Sequence, residues 1–184
     1  MQLTDTIEKV HNVKNFSHRK PDWRDILECI DTARYAPMAG ENFSLKFILI
    51  DNPNSIQKIT DAAQQPFISQ AQYLIIVCTD KKRTKTLFKD KAEIYCRQQA
   101  GAAIQNIILA LTEKRLSTYW VRHFVESLIK TELKIPENID IEAILPIGYE
   151  KGKTKKSEKI EADVINYFNN WGNKKMNPPK GIFA

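Results

Sequence analysis

From Lys91 to Lys114 the chain contains neither a proline nor a cluster of loop-forming residues, and Ala100, Ala103, Ile104, Ile107, Ile108 and Leu111 recur at intervals of three and four. That spacing predicts the longest helix of the protein. In its middle, Ala100, Gly101, Ala102 and Ala103 are small enough to let another helix or a ligand approach closely. Upstream, Tyr73-Leu74-Ile75-Ile76-Val77-Cys78 is a continuous β-favouring run bounded by polar residues, which reads as a strand buried on both faces and central in its sheet.

Around these two elements the chain alternates. Asp22 precedes Trp23, Ile26, Leu27, Ile30 and Ala33, an amphipathic helix ended by Pro37. A strand follows over Phe43 to Ile50. Asn52 caps a helix with Pro53 at its first position and Ile56, Ile59 and Ala63 on its apolar face. Thr118 to Val121 reads as a short strand, Val125 to Leu133 as a helix, Ile141 to Gly148 as a second buried strand, and Ile160 to Phe168 as a final helix. Alternating helices and buried strands indicate an α/β or α+β fold.

The chain has 184 residues, of which 42% are hydrophobic and 27% charged, which describes one globular domain with a sizeable core. Cys29, Cys78 and Cys96 are far apart and form no disulfide or zinc pattern. No apolar run reaches the roughly 18 residues of a membrane span, and Met1 leads into polar residues rather than a signal peptide, so a cytoplasmic protein without membrane association is expected. The net charge of +6 is concentrated in Lys81 to Lys85 and Lys151 to Lys156. These clusters lack interleaved aromatics, so nucleic acid is not the expected partner.

No glycine-rich phosphate loop and no His-Glu-x-x-His motif occurs, and His11, His18 and His123 lack metal-ligand spacing, so no metal is expected. Four segments carry more. His11-Asn12-Val13-Lys14-Asn15-Phe16 sets hydrogen-bonding and basic groups ahead of the first long helix. Tyr35-Ala36-Pro37-Met38-Ala39-Gly40-Glu41-Asn42 is a small-residue loop. Gly101-Ala102-Ala103-Ile104-Gln105-Asn106 lies in the long helix, and Pro146-Ile147-Gly148-Tyr149 ends a buried strand.

In this order and at these separations the segments resemble the nitroreductase family of FMN-dependent oxidoreductases, over nearly the whole chain from about Ile7 to Trp171. His11 to Phe16 is similar to the family's opening flavin motif, with Val10 and Asn12 where relatives often carry Arg and Ser. Pro37-Met38-Ala39 is similar to its Ala-Pro-Ser loop, Trp120-Val121-Arg122-His123-Phe124 to the strand beside the flavin, and Leu145 to Tyr149 to its last core strand.

The resemblance implies an α+β fold: an α-β-α sandwich with a mixed, mainly antiparallel sheet, in an intertwined homodimer. Residues 1–172 would form the FMN-binding domain and residues 173–184 a tail or dimer arm, with the helix around Gln105 at the dimer interface. It implies FMN held by His11, Asn12, Lys14, Pro37, Met38, Ala39, Asn42, Gln65, Val121, Arg122, Lys155 and Lys156. Lys153 is an alternative to the last pair, and Glu41 to Asn42 in the polar position of the loop. Arg122 and His123 would meet the substrate. Phosphate needs such cations, and a lysine beside the pyrimidine edge, here Lys14, stabilises reduced flavin.

The implied reaction is ping-pong. NADH or NADPH reduces the flavin, and a small acceptor such as a nitroaromatic or quinone reoxidises it, with no side chain as an essential acid or base. Dehalogenation, flavin fragmentation and dehydrogenation within the same fold are alternatives, as is a non-enzymatic basic protein that binds nucleic acid.

Overall fold

The computed structural model describes residues 2–156 and 158–176. The chain divides into two compact units, residues 1–154 and 155–184. The first unit holds α1 (Leu3–Lys9), α2 (Trp23–Asp31), β1 (Leu45–Ile50), α3 (Pro53–Ala63), β2 (Tyr73–Asp80), α4 (Lys82–Phe88), α5 (Ala92–Glu113), β3 (Ser117–Thr118), α6 (Glu126–Leu133) and β4 (Ile139–Gly148). The four strands form one sheet in the order β1-β2-β4-β3, and every pair between them is antiparallel.

The central strand β2 alternates its side chains between two cores. Tyr73, Ile75 and Val77 join Ala143, Leu145 and Ile147 of β4 under α2 and α5. Leu74, Ile76 and Cys78 join Ile141 and Ile144 under α3 and α6. Both faces of the sheet are therefore covered by helices, the three-layer sandwich that was expected, and the unbroken apolar run of β2 follows from it. Burying each Ile or Leu of this kind contributes about 1.5–3 kcal/mol.

Capping follows the sequence closely at α3, where the Asn52 side chain accepts from the backbone N–H of Asn54 at 2.9 Å and of Ser55 at 3.1 Å. The expected strand over 118–121 is shorter than its sequence suggests. Ser117 pairs with Gly148, Thr118 with Ile147 and Val121 with Ile144, all in one register, but the ladder is interrupted between them. That register sets Tyr119 opposite Pro146, and proline has no N–H to donate, so the rung at this position cannot close.

The second unit contains α7 (Ala162–Ile165), shorter than the helix expected over 160–168. Its Tyr167 and Trp171 rings lie 4.9 Å apart, and the Lys174 ammonium sits 4.3 Å from the Tyr167 centroid. Of the tail expected over 173–184, residues 177–184 lie outside the described residues. Among the described residues no helix is long and apolar enough to cross a membrane.

Candidate functional site

The segment 10–16 is pinned along the β3 edge of the sheet. The Val13 N–H donates to the Thr118 carbonyl at 3.1 Å, and Phe16 forms an antiparallel bridge with Glu150. Buried Val13 and Phe16 anchor the segment, while Asn12 and Lys14, on either side of Val13, are exposed. Phe16 also packs on Gly148: a Cβ there would stand 3.0 Å from Phe16 Cδ1, so the absence of a side chain gives the buried Phe16 ring its room.

The Lys14 ammonium rests over two aromatic faces, 5.5 Å from the Phe67 centroid and 5.1 Å from that of Tyr119. Those rings pack edge to face at 5.0 Å. Among the described residues no carboxylate forms an ion pair with Lys14, so its charge is held in place by ring quadrupoles and left available to an anion. Phe67 arrives from the turn after α3, which opens at the left-handed Gln64 and continues through Gln65 and Pro66. The Gln65 amide donates to the His123 carbonyl at 3.3 Å, and Val125 N–H to the Ala62 carbonyl at 2.8 Å. Residues 121–125 are thereby laid beside the end of α3.

On the same stretch the Arg122 guanidinium stacks 4.6 Å from the Trp120 ring, with Arg122 and His123 both exposed. The Thr118 hydroxyl and the Trp120 indole N–H are buried and make no hydrogen bond. Buried polar atoms are ordinarily satisfied, and Trp120 opens the segment expected to lie beside a flavin, so its orphaned N–H fits a site that is completed by a polar ligand.

His11 carries a different commitment. Its Nδ1 is 2.8 Å from the Lys9 carbonyl and its Nε2 is 3.1 Å from Glu150 Oε2. Both ring nitrogens are therefore engaged within the chain. The ring is thus tied into the chain, and Glu150, absent from the residues expected at the site, is its partner.

Pro37, Met38, Ala39 and Asn42 belong to a second group, at the start of β1. Here Gly40 takes the left-handed conformation at φ 58°, and a Cβ on it would lie 2.9 Å from Phe88 Cζ. Pro37 and Met38 are exposed, but the buried Asn42 donates its amide to Thr84 Oγ1 at 2.8 Å and accepts at its carbonyl from Gln99 Nε2 at 3.2 Å. The Asn42 amide expected at a flavin edge is engaged within the chain. Strands β1 and β3 are opposite edges of the sheet, three spacings or roughly 14 Å apart.

The structure therefore gathers His11, Asn12, Lys14, Gln65, Val121, Arg122 and His123 at the β3 edge and leaves the 37–42 loop at the other. Lys155 and Lys156 belong to the second unit. Sequence reasoning missed Phe67, Tyr119 and Glu150. Tyr119 and Glu150 directly adjoin motifs already marked out, which was the available signal.

Comparison with known proteins gives a consistent result. A family model described as the nitroreductase family matches residues 58–149, half of the chain. The iodotyrosine deiodinase of Thermotoga neapolitana is 24% identical over 177 residues, covering 80% of this chain and 88% of that protein. The solved structure of a nitroreductase family protein from Clostridium novyi NT superposes with a TM-score of 0.75 at 24% identity, covering 94% of this chain and 96% of that one. That of an FMN-dependent nitroreductase from Clostridium difficile R20291 gives a TM-score of 0.78 at 18% identity, over 90% of this chain and 98% of that one.

Proposed function

As the chain belongs to the nitroreductase family, we propose that it is an FMN-dependent oxidoreductase that carries electrons from NADH or NADPH to a small acceptor such as a nitroaromatic or quinone. The observation that carries this reading is the cluster at the β3 edge: an ammonium without a carboxylate partner, cradled by two rings, beside the turn that carries the Gln65 amide. Bound FMN would supply the two-electron chemistry, accepting hydride in one half-reaction and returning electrons in the other.

The residues have distinct tasks in this reading. Lys14, Asn12 and Gln65 hold the polar edge of the ring system, and the Lys14 charge favours the reduced, anionic form. The backbone around Val121 and Arg122, fixed by the exchange of hydrogen bonds between Val121 and Ile144 at 3.0 and 3.1 Å, presents a rigid wall to the reacting face. Arg122 and His123 border the substrate, with Arg122 held flat by Trp120 so that its charge meets an anionic reactant. Lys155 and Lys156 are assigned to the phosphate.

The reading includes a homodimer. The 37–42 loop lies at the opposite edge strand from Lys14, and in this reading Pro37, Met38 and Ala39 serve the site of a second copy. Exposed Leu3, Ile7, Leu27 and Tyr35 on and beside α1 and α2 support an apolar face for that copy to cover. A second reading, reductive dehalogenation, is favoured by the deiodinase relative.

The test is an absorption spectrum of the purified protein, then anaerobic addition of NADH and of NADPH. Flavin bands that bleach support the assignment and lead to an acceptor screen that includes aryl halides. A colourless protein that fails to bind added FMN overturns it.

A further inference from the structure

We propose that Glu150 is a positioning residue for the flavin site: its side chain clasps His11, takes that ring out of the cofactor's ligand set, and so fixes Lys14 at the polar edge of the flavin. This role rests on the flavin reading and adds to it a residue that acts through Lys14 rather than by contact with the cofactor.

Residue 150 holds the opening segment at both of its ends. Its main chain bridges Phe16, and on either side the Ser17 N–H donates to the Tyr149 carbonyl at 2.8 Å and the Lys151 N–H to the Asn15 carbonyl at 2.9 Å. Its side chain reaches back to the other end, where Oε2 lies 3.1 Å from His11 Nε2. The second carboxylate oxygen accepts the Thr154 N–H at 2.8 Å, so the carboxylate is oriented by the turn that follows it. His11 Nδ1, 2.8 Å from the Lys9 carbonyl, ties the same contact to the end of α1, where the last carbonyls lack partners within the helix.

Between these two holds lie Asn12, Val13 and Lys14. Val13 is buried and donates to the Thr118 carbonyl at 3.1 Å, so the loop is pinned at its middle as well as at its ends. The Lys14 ammonium is drawn to the Phe67 and Tyr119 rings by an attraction with little directionality, so the course of the main chain decides where the charge is presented. The His11 and Glu150 side chains are 23% and 21% exposed, against 72% and 49% for Arg24 and Asp22, so their contact is shielded where an ordinary surface pair is not. A misplacement of about 1 Å at a reacting site costs up to about a hundredfold, which is the scale on which a released loop would act.

Two roles for His11 lead to different results. A ring that held the flavin phosphate would stabilise oxidised and reduced FMN alike, because the phosphate keeps its charge in both. A ring that sets Lys14 acts chiefly on the reduced, anionic flavin, which the Lys14 charge favours. The geometry fits the second role, since Glu150 stands at the Nε2 that a phosphate would need and Lys9 takes Nδ1.

The experiment is redox titration of the flavin bound to the full-length protein, with FMN affinity measured alongside. In Glu150→Ala and in His11→Ala the potential should become more negative, by the equivalent of about a fivefold or greater loss of reduced over oxidised FMN binding. Neither change should shift it further once Lys14→Ala is in place. Glu150→Gln, whose amide offers an acceptor to Thr154 and a donor to His11, should restore most of the potential. His11→Ala removes the same contact from a different segment should Glu150→Ala fold poorly. A loss of affinity with an unmoved potential, or a shift that persists in the Lys14→Ala background, overturns the role of Glu150 alone. An unaltered protein that binds no FMN overturns the flavin reading, and this role with it.

Discussion

Nε2 of His11 stands 3.1 Å from Oε2 of Glu150, so the opening segment and a residue 139 positions later close one contact at the sheet edge. Glu150 is also held from its other oxygen, which accepts the Thr154 N–H at 2.8 Å. Burial alone would push the Glu150 carboxyl up. The hydrogen bonds from Thr154 and His11 and the charge of His11 outweigh it and hold the group below its ordinary range.

A depressed carboxyl stabilises the fold above its unfolded-state range near 4.3 and loses that contribution as pH falls through the folded-state value. The melting temperature of Glu150→Gln should therefore lie below that of the unaltered protein at pH 7, with the gap closing between about pH 5 and pH 3. A gap independent of pH across thermal melts would remove the His11–Glu150 contact from the account.

Lys14→Ala should weaken FMN binding about tenfold or more and slow flavin reduction, because the cation has no acidic partner to absorb its loss. Lys58→Ala, which removes only an exposed ion pair with Glu132, should leave both unchanged. Fluorescence titration of FMN and stopped-flow reduction measure the two quantities, and identical behaviour of the variants would count against Lys14.

Gly148→Ala would place a methyl 3.0 Å from the buried Phe16 ring. The expected cost is about 1–2 kcal/mol in urea unfolding, typical of overpacking. Because Phe16 anchors the segment that carries Lys14, FMN affinity should fall as well. Unchanged stability would mean that the 10–16 segment yields freely.

Cys29, Cys78 and Cys96 are free and buried. Burial pushes the Cys29 thiol up to about 12 and the Cys78 thiol up to about 11, so neither forms thiolate at neutral pH. An aromatic disulfide reagent at pH 8 should label them only after denaturant is added. Rapid labelling of the native protein would show that the helical layers open readily.

What could be read from the chain was what is local. The Asn52–Pro53 cap, the α5 boundaries and the buried β2 run each follow from neighbouring residues. The helix α4 did not, because Lys82 and Arg83 resemble a solvated basic run. It is its buried Thr84 beneath Asn42, and Phe88 packed against Tyr95 at 5.0 Å, that make it an ordered wall. At the candidate site Lys14 was legible as a cation of a motif, whereas its aromatic cradle joins residues 14, 67 and 119, which no spacing rule connects. The broken β3 ladder depends on a proline in another strand and was equally out of reach.

That interruption has a bearing on association between molecules. An edge strand with a full row of free donors and acceptors invites a strand from elsewhere and is a seed for aggregation. Pro146 stops β3 after two rungs and the 10–16 segment lies along what remains, so this flank offers no straight template on which a foreign strand could zip.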